Sequence, residues 1–378
     1  METETKTIEP KAHKYNYHIS STQFFVLFCL CFFSPSTVFL PKLMTKVAGD
    51  MAWLSPIVGF VAFVVLFLVL KKVLHADGLG WVQKSKNILG SKLSLILSIL
   101  VGLWCIVLSA FFVRHFAERV VMVYLSDAST VFITLSICLV VFVTLLGGML
   151  SYARLCEVMF YFFIGVFVVV TALSYLDGVH LDNLLPIAPS DTVGILHGAI
   201  YMAMPFSILV YMIFFADRVN FDNNKLLKQG IKSSVLVCVL TVAVLILTIG
   251  QLGVFGVQYL QLPYFSVTRQ IAFLGPLKNI GSIVFSLWIL ADFALIATLA
   301  YTATSIGQRI IKKQPRWIPI SIISLAVALI AIFSWKDLVS LESFLDIVVV
   351  PISIGACVGI PGVLLICGYI RNKFNGEK

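Results

Sequence analysis

Stretches of about 20 mostly apolar residues recur along the whole chain, and this repetition constrains the fold more than any other feature. A helix that crosses the hydrocarbon core of a bilayer needs about 20 such residues, because that core is about 30 Å thick. The composition agrees, since only 12% of the 378 residues are charged, against about a quarter in soluble domains. The sequence therefore predicts an all-α polytopic membrane protein.

The hydropathy pattern predicts ten transmembrane helices, with boundaries good to a few residues. They run at about 20–40, 51–70, 93–113, 130–150, 157–176, 193–215, 233–254, 280–305, 317–334 and 343–370. The third can be longer, because the apolar pattern continues through 120–125 beyond a charged patch. The polar stretches are too short to bury a core of their own. We expect one transmembrane domain, 19–370, between an N-terminal tail, 1–18, and a C-terminal tail, 371–378.

Lysine and arginine are distributed unevenly over the connecting segments. With the N-terminus placed inside, the cytoplasmic segments hold 20 and the outer segments hold 7 of the 27 basic residues. Cytoplasmic loops of membrane proteins carry this excess of positive charge. Both termini are therefore predicted to be cytoplasmic. The net charge of +9 reflects lysines and arginines in the cytoplasmic loops, next to membrane lipid, and does not indicate binding of nucleic acid.

The motifs of common enzyme and metal sites are missing from the sequence. There is no C-x-x-C, Cys/His cluster, G-x-S-x-G, H-E-x-x-H or phosphate-binding glycine loop. We therefore predict no enzyme activity, no cofactor, no metal site and no catalytic residue.

Two of the predicted spans are interrupted by proline. The first contains Ser34-Pro35-Ser36-Thr37, and the sixth contains Met204-Pro205-Phe206-Ser207. Proline has no amide hydrogen and crowds the preceding turn, and a broken backbone in a bilayer persists only where it is buried or lines a cavity. Either segment alone can be a kink without a ligand.

Matched interruptions in the two halves of a chain are typical of an inverted-repeat transporter fold with a binding site at the bilayer midplane. Ten spans divide into repeats of five, at about 19–176 and 193–370, so that helices 1 and 6 are the broken pair. Exposed amides at half-helix starts would bind a carboxylate, and freed carbonyls would face an ammonium group.

The first, third, sixth, eighth and tenth helices surround the site in such a fold. The predicted ligand-binding residues are Ser34, Pro35, Ser36, Thr37, Trp104, Leu108, Met204, Pro205, Ser207, Ala297, Thr298 and Tyr301. Simpler roles stay open for several of them. The hydroxyls of the first interruption can satisfy freed backbone carbonyls, Trp104 and Leu108 can pack without a ligand, and Tyr301 can cap a contact between helices.

Asp292 lies in the middle of the eighth predicted span, in Trp288-Ile289-Leu290-Ala291-Asp292-Phe293. Charges within a span are energetically unfavourable and usually functional. Asp292 can serve as an ion or proton site, as a ligand for an ammonium group, or in a structural pair with a basic residue. Arg114 and Glu118, four apart on a predicted helix, are expected to form a stabilising pair.

Several short motifs resemble, in their order and spacing, those of a known family. They are Ile19-Ser20-Ser21-Thr22-Gln23-Phe24, Phe39-Leu40-Pro41, Gly49-Asp50-Met51-Ala52-Trp53-Leu54, Val113-Arg114-His115-Phe116-Ala117-Glu118, Tyr152-Ala153-Arg154-Leu155-Cys156-Glu157-Val158, Asn183-Leu184-Leu185-Pro186-Ile187, Pro263-Tyr264 and Thr268-Arg269-Gln270-Ile271. The chain thus resembles the B subunit of bacterial spore nutrient-germinant receptors, the endospore germination permease family of the amino acid–polyamine–organocation superfamily.

The resemblance implies a sensor in the spore inner membrane rather than a pump. Members look like transporters, bind a small nutrient that is often an amino acid, and start germination together with a larger A-type membrane subunit and a C-type lipoprotein. Two other functions stay open. The chain can be an ion-coupled amino acid permease, with Asp292 as the coupling residue, or a structural membrane subunit with a vestigial pocket.

Overall fold

The computed structural model of the chain describes residues 18–74, 81–176, 178–185, 192–221, 223–270, 280–311 and 314–376. The helices of the first half are α1 (Ser21–Val38), α2 (Leu40–Ala48), α3 (Ser55–Leu74), α4 (Trp81–Leu89), α5 (Ser91–Val123), α6 (Thr130–Gly147) and α7 (Met149–Leu176). Those of the second half are α8 (Thr192–Ile200), α9 (Ala203–Met212), α10 (Asn223–Tyr259), α11 (Pro263–Arg269), α12 (Ile280–Ile310), α13 (Trp317–Phe333), α14 (Leu338–Phe344) and α15 (Val350–Gly376).

Short irregular elements join the helices. Within the described residues, three segments are 3₁₀ turns, Gly49–Leu54, Leu181–Leu184 and Ile213–Arg218, and one, Leu345–Val349, is a π turn. Two strands, β1 (Ile19–Ser20) and β2 (Val219–Asn220), pair in parallel, with Ile19 opposite Val219. This pair joins the start of the first span to the end of the sixth, so those two ends lie on one side of the molecule.

Nine apolar helical stretches within the described residues are long enough to cross a membrane. The predicted all-α polytopic fold is thereby confirmed, as is the longer third span, because α5 has 33 residues. The ninth predicted span corresponds to α13, which has 17 residues and a length of about 26 Å at the helical rise of about 1.5 Å per residue. The count of ten therefore stays a prediction.

Apolar side chains cover much of the outside of the bundle. Val61 of α3, Phe132 of α6 and Val158 of α7 are 62, 67 and 71% exposed. Such residues are unfavourable in water and favourable against lipid tails. In α1, by contrast, every residue except Thr22 and Gln23 is buried. The first span is therefore the central helix of the bundle and is shielded from lipid.

The interruption of the first span lies just beyond the predicted segment. Helix α1 continues through 34–37 with Pro35 inside it, and the helix is interrupted at Phe39, whose amide donates to the Pro35 carbonyl at 3.0 Å. The reason is a second proline, Pro41, in the first turn of α2. Pro41 has no amide to give to the Thr37 carbonyl, so one bond of the hydrogen-bond ladder is missing there, and the ladder resumes with the Leu43 amide on the Phe39 carbonyl at 3.0 Å.

The interruption of the sixth span lies just before the predicted segment. Helix α8 ends at Ile200 and α9 begins at Ala203, with Tyr201 and Met202 in the turn between them. The segment 204–207 is therefore helical, which corrects its predicted position. Pro205 lies in the first turn of α9, where a missing amide breaks no intrahelical hydrogen bond.

Helix α14 begins after Asp337, whose carboxylate accepts a hydrogen bond from the Ser340 amide at 2.8 Å. This hydrogen bond lowers the pKa of the exposed Asp337 carboxyl and stabilises the first turn of the helix. The start of α14 is thereby held in place, and Glu342 and Asp346, which follow along the chain, form ion pairs with α2.

Candidate functional site

Asp292 of α12 is the centre of a buried polar cluster that joins three helices. One carboxylate oxygen lies 2.7 Å from the Arg119 guanidinium of α5, and the other accepts a hydrogen bond from the Ser34 hydroxyl of α1. Arg119 and Asp292 are only 3 and 2% exposed. Of the roles left open for Asp292, the structural pair with a basic residue is the one that the geometry favours.

Arg119 is the residue that the sequence reasoning missed. Its guanidinium also donates through Nε to the His115 carbonyl at 3.3 Å, which holds the side chain against α5. A signal for it existed, because a buried carboxylate needs a counter-charge and Arg119 lies in the predicted extension of the third span. Arg114, which the sequence paired with Glu118, forms that ion pair at 2.8 Å, as predicted.

The three hydroxyls near the first interruption have different partners. Ser36 and Thr37 both donate to the Phe33 carbonyl, at 2.8 and 3.1 Å, within their own helix. The carbonyls that lose an amide partner to Pro35 and Pro41 are those of Cys31 and Thr37, so these two hydroxyls back-bond within their helix rather than satisfy a freed carbonyl. Ser34 alone among the three reaches another helix, through Asp292.

Thr298 lies at a second junction between helices, six residues along α12 from Asp292. Its hydroxyl lies 2.8 Å from the Tyr152 hydroxyl of α7 and 3.2 Å from the Cys31 thiol of α1. Tyr152 donates in turn to the Ala294 carbonyl at 2.6 Å. Ala297, next to Thr298, is buried. Helices α1, α7 and α12 therefore meet where two predicted site residues lie, with Tyr152 and Cys31 as further members.

The third and sixth spans meet through an aromatic pair. The Trp104 indole of α5 donates to the Tyr211 hydroxyl of α9 at 2.9 Å, and Leu108, one turn further, is buried. In α9 itself, Met204 and Pro205 are buried, and Ser207 donates to the Met204 carbonyl at 2.7 Å. Trp104 thus lies against the sixth span, as a wall of a site between these helices would.

Aromatic rings fill the space where α1, α3 and α9 meet. Phe206 stacks on Phe63 with ring centres 4.0 Å apart, and Phe32 lies 5.2 Å from Phe206. All three rings are buried. The contact between the first and sixth spans is therefore made by apolar rings at this level.

Tyr301 belongs to a different cluster. Its hydroxyl accepts a hydrogen bond from Arg218, whose guanidinium also lies 5.3 Å from the centre of the Tyr301 ring. Arg218 also donates to Gln308 at 2.7 Å. Tyr301 is nine residues beyond Asp292, or about 13 Å along a helix axis. It therefore supports the contact between the end of the sixth span and α12, the simpler role foreseen for it.

No group of three or more His, Cys, Asp or Glu side chains that could hold a metal ion occurs in the part of the chain that the structure describes. The polar groups that the described helices bring together here are hydroxyls, the Cys31 thiol and the ion pair of Arg119 with Asp292.

Comparison with known proteins adds three findings. Residues 18–337 match the family of spore germination proteins, and no curated protein matches the chain. Among solved structures, three mutants of a manganese transporter from Eremococcus coleocola each share 15% identity and a TM-score of 0.52 with the chain, over 96% of this chain and 78% of the transporter. At this identity the likeness concerns the fold.

Proposed function

The chain belongs to the spore germination protein family, and on this premise we propose that it is a nutrient-germinant receptor subunit. It binds a small molecule, an amino acid, between the interrupted first and sixth spans and thereby helps to trigger germination. The observation that carries the proposal is the convergence of α1, α5 and α12 on Asp292 beside the interruption of the first span. A ligand that moves α1 there changes contacts in two other helices.

The chemistry of both interruptions suits an amino acid. Pro41 leaves the Thr37 carbonyl without its helical amide partner, so a carbonyl is free to accept from an ammonium group. At the start of α9, the Met204 and Phe206 amides donate to the Tyr201 and Met202 carbonyls of the turn, so a carboxylate would bind to these amides only when the turn opens. Trp104, Leu108 and Phe206 would surround a modest apolar side chain.

A ligand transmits a signal only if it binds one conformation more tightly than another. In this proposal the ligand favours one arrangement of the two broken spans, and the ion pair of Asp292 with Arg119 passes the change to α5. As in the family, an A-type membrane subunit and a C-type lipoprotein would receive it in the spore inner membrane, with both termini of this chain in the cytoplasm. The bundle 19–370 would be built from repeats at 19–176 and 193–370.

An ion-coupled amino acid permease is the second candidate, and the transporter-like fold favours it. The environment of Asp292 argues against coupling through this residue. Its carboxylate is already neutralised by Arg119 at 2.7 Å, and a second cation there would be repelled by the guanidinium at short range.

The receptor proposal is tested in spores that carry variants of this chain. Ala297→Trp forces a large ring into the packed region beside Thr298, where Ala297 is buried, and Ala172→Trp places the same ring on an exposed position of α7. We expect Ala297→Trp to shift the nutrient concentration for half-maximal germination upward by about tenfold or more, the effect of losing one well-placed contact, while Ala172→Trp leaves it unchanged.

Two controls keep this result interpretable. Immunoblots of spore membranes show whether each variant is present at the parental level, and Thr298→Val removes the hydroxyl with little change of volume in case the tryptophan prevents folding. A parental dose response in both Ala297→Trp and Thr298→Val would refute the midplane site. Uptake of labelled amino acids into proteoliposomes that requires an ion gradient would favour the permease instead.

A further inference from the structure

A cleft of mixed charge opens directly beyond the interruption of the first span. Its lining includes Phe39, Lys42, Lys46, His115, Glu342 and Asp346, and the enclosed part of its space is only about 30 Å³, with the remainder open to solvent. On the predicted orientation it lies at the outer end of the bundle, and it is called the outer cleft below. Its floor is the pair Phe39 and His115, whose rings meet edge to face at 4.6 Å.

The charges of the outer cleft form a balanced ladder. Lys42 pairs with Glu342 at 2.9 Å, and one helical turn further Lys46 lies 3.6 Å from Asp346. The first pair is closed and half-buried, whereas the second has side chains 44 and 45% exposed. An exposed ion pair contributes only about 0–1 kcal/mol, so Lys46 and Asp346 separate easily. Two positive and two negative groups leave no net charge that would select an anion or a cation.

His115 provides an unsatisfied polar atom at the floor. The residue is only 5% exposed, and its Nδ1 has no hydrogen-bond partner on any other described residue. A buried polar atom without a partner costs about 1–3 kcal/mol, which a ligand or a bound water in the outer cleft would recover. The balanced ladder and the unpartnered imidazole point independently to a small polar occupant.

We propose that the outer cleft is a second binding site, which takes a small zwitterion with the size and charge of glycine. The carboxylate of the zwitterion pairs with Lys46 and its ammonium group pairs with Asp346, so that both charges keep a partner when the ladder opens. His115 contacts the bound molecule from below. Charge-assisted hydrogen bonds at both ends favour a zwitterion over an ion of either sign.

The outer cleft is connected to the buried ion pair through one residue. The side chain of His115 lines the cleft, and its backbone carbonyl accepts from Arg119, the partner of Asp292. An occupant of the outer cleft is therefore linked to Asp292 through two residues, His115 and Arg119. The site stands on its own geometry, and it does not require that the midplane site of the proposed function exist.

The test measures binding of tritiated glycine to the purified full-length chain in nanodiscs by scintillation proximity. It uses the Ala297→Trp background, in which a large ring obstructs the proposed midplane site, and as a second background Thr298→Val, which weakens that site by removing a hydroxyl, in case the tryptophan variant does not fold. In both, we expect one saturable glycine site whose affinity falls about tenfold or more in Lys46→Gln/Asp346→Asn, because two charge-assisted contacts are lost. Acetate and methylammonium, which each match one charge only, should compete at least about tenfold less well than glycine.

The matched control is Asp127→Asn/Lys336→Gln, which removes the same two charges at exposed positions outside the cleft. It should bind glycine as the parent does. His115→Phe keeps an aromatic ring against Phe39 but loses Nδ1, and it should weaken binding as well. Parental affinity in Lys46→Gln/Asp346→Asn, or no saturable glycine binding in either background, would overturn the proposal. A failure of the midplane site would instead appear as unchanged germination in Ala297→Trp and Thr298→Val spores.

Discussion

Asp292 and Arg119 are two full charges held away from both water and lipid. Each has less than a twentieth of its side chain exposed, and desolvation of an isolated charge to that extent is strongly unfavourable. The pair is stable because the two charges and the Ser34 hydroxyl satisfy one another. Either charge without the other would be buried and uncompensated.

We therefore predict strong coupling between these two positions. Asp292→Asn and Arg119→Gln should each lower the free energy of unfolding by about 3–5 kcal/mol. The double variant Asp292→Leu/Arg119→Met has no charge at either position. Its free energy of unfolding should fall by much less than the sum of the two single-variant losses, because no charge is left unpaired. Thermal unfolding midpoints of the purified variants in detergent measure the difference.

Lys46→Gln is the matched control, since it removes one charge of a half-exposed pair and should change stability by only about 0–1 kcal/mol. If the effects at Asp292 and Arg119 simply add, the two residues act independently and the buried ion pair contributes nothing as a unit.

At the scale of elements, the outer halves of the two broken spans are in close backbone contact. Helix α8 carries Gly194 and Gly198, four residues apart and on one face, which is the spacing that lets membrane helices approach closely. A Cβ atom at Gly194 would overlap the Val47 carbonyl and lie 3.2 Å from the Ala48 Cα, and one at Gly198 would overlap the Ser55 side chain. Glycine is thus required at this crossing for space.

A branched side chain at this crossing should separate α8 from α2. We predict that Gly194→Val lowers the thermal unfolding midpoint of the purified chain clearly, because the atom in the way is backbone and overpacking of this kind costs about 1–3 kcal/mol. Gly165→Val is the control, since nothing lies within 4 Å of a Cβ at that position of α7. An equal midpoint for the two variants would mean that the crossing is not close-packed.

At the scale of the whole molecule, the number of crossings decides the symmetry of the fold. Nine stretches in the described residues are long enough to span, and α13, at 17 residues, is the helix on which a division into five and five depends. A crossing α13 places the loop at 314–316 and the loop at 334–337 on opposite sides of the membrane. An α13 that does not cross leaves both on one side.

Labelling of single cysteines distinguishes these two arrangements. We predict that Lys336→Cys in intact cells reacts with a membrane-impermeant maleimide, whereas Gln314→Cys reacts only after the membrane is permeabilised. Both positions are exposed, and the unsubstituted chain, whose own cysteines are mostly buried, provides the background signal. Labelling of both variants from the same side would mean that α13 does not cross the membrane. The fold would then have nine crossings and could not be divided into two repeats of five.

The sequence by itself determined the helical membrane fold and the two spans that are interrupted, because hydropathy and the missing amide of proline act within a few residues. It did not determine where the first interruption lies, since α1 continues past Pro35 and the interruption at Phe39 is caused by Pro41. Nor did it identify the partner of Asp292, which lies 173 residues away, or separate Tyr301 from the other candidates. Those outcomes depend on how buried helices pack, and packing brings together charges that no local pattern relates.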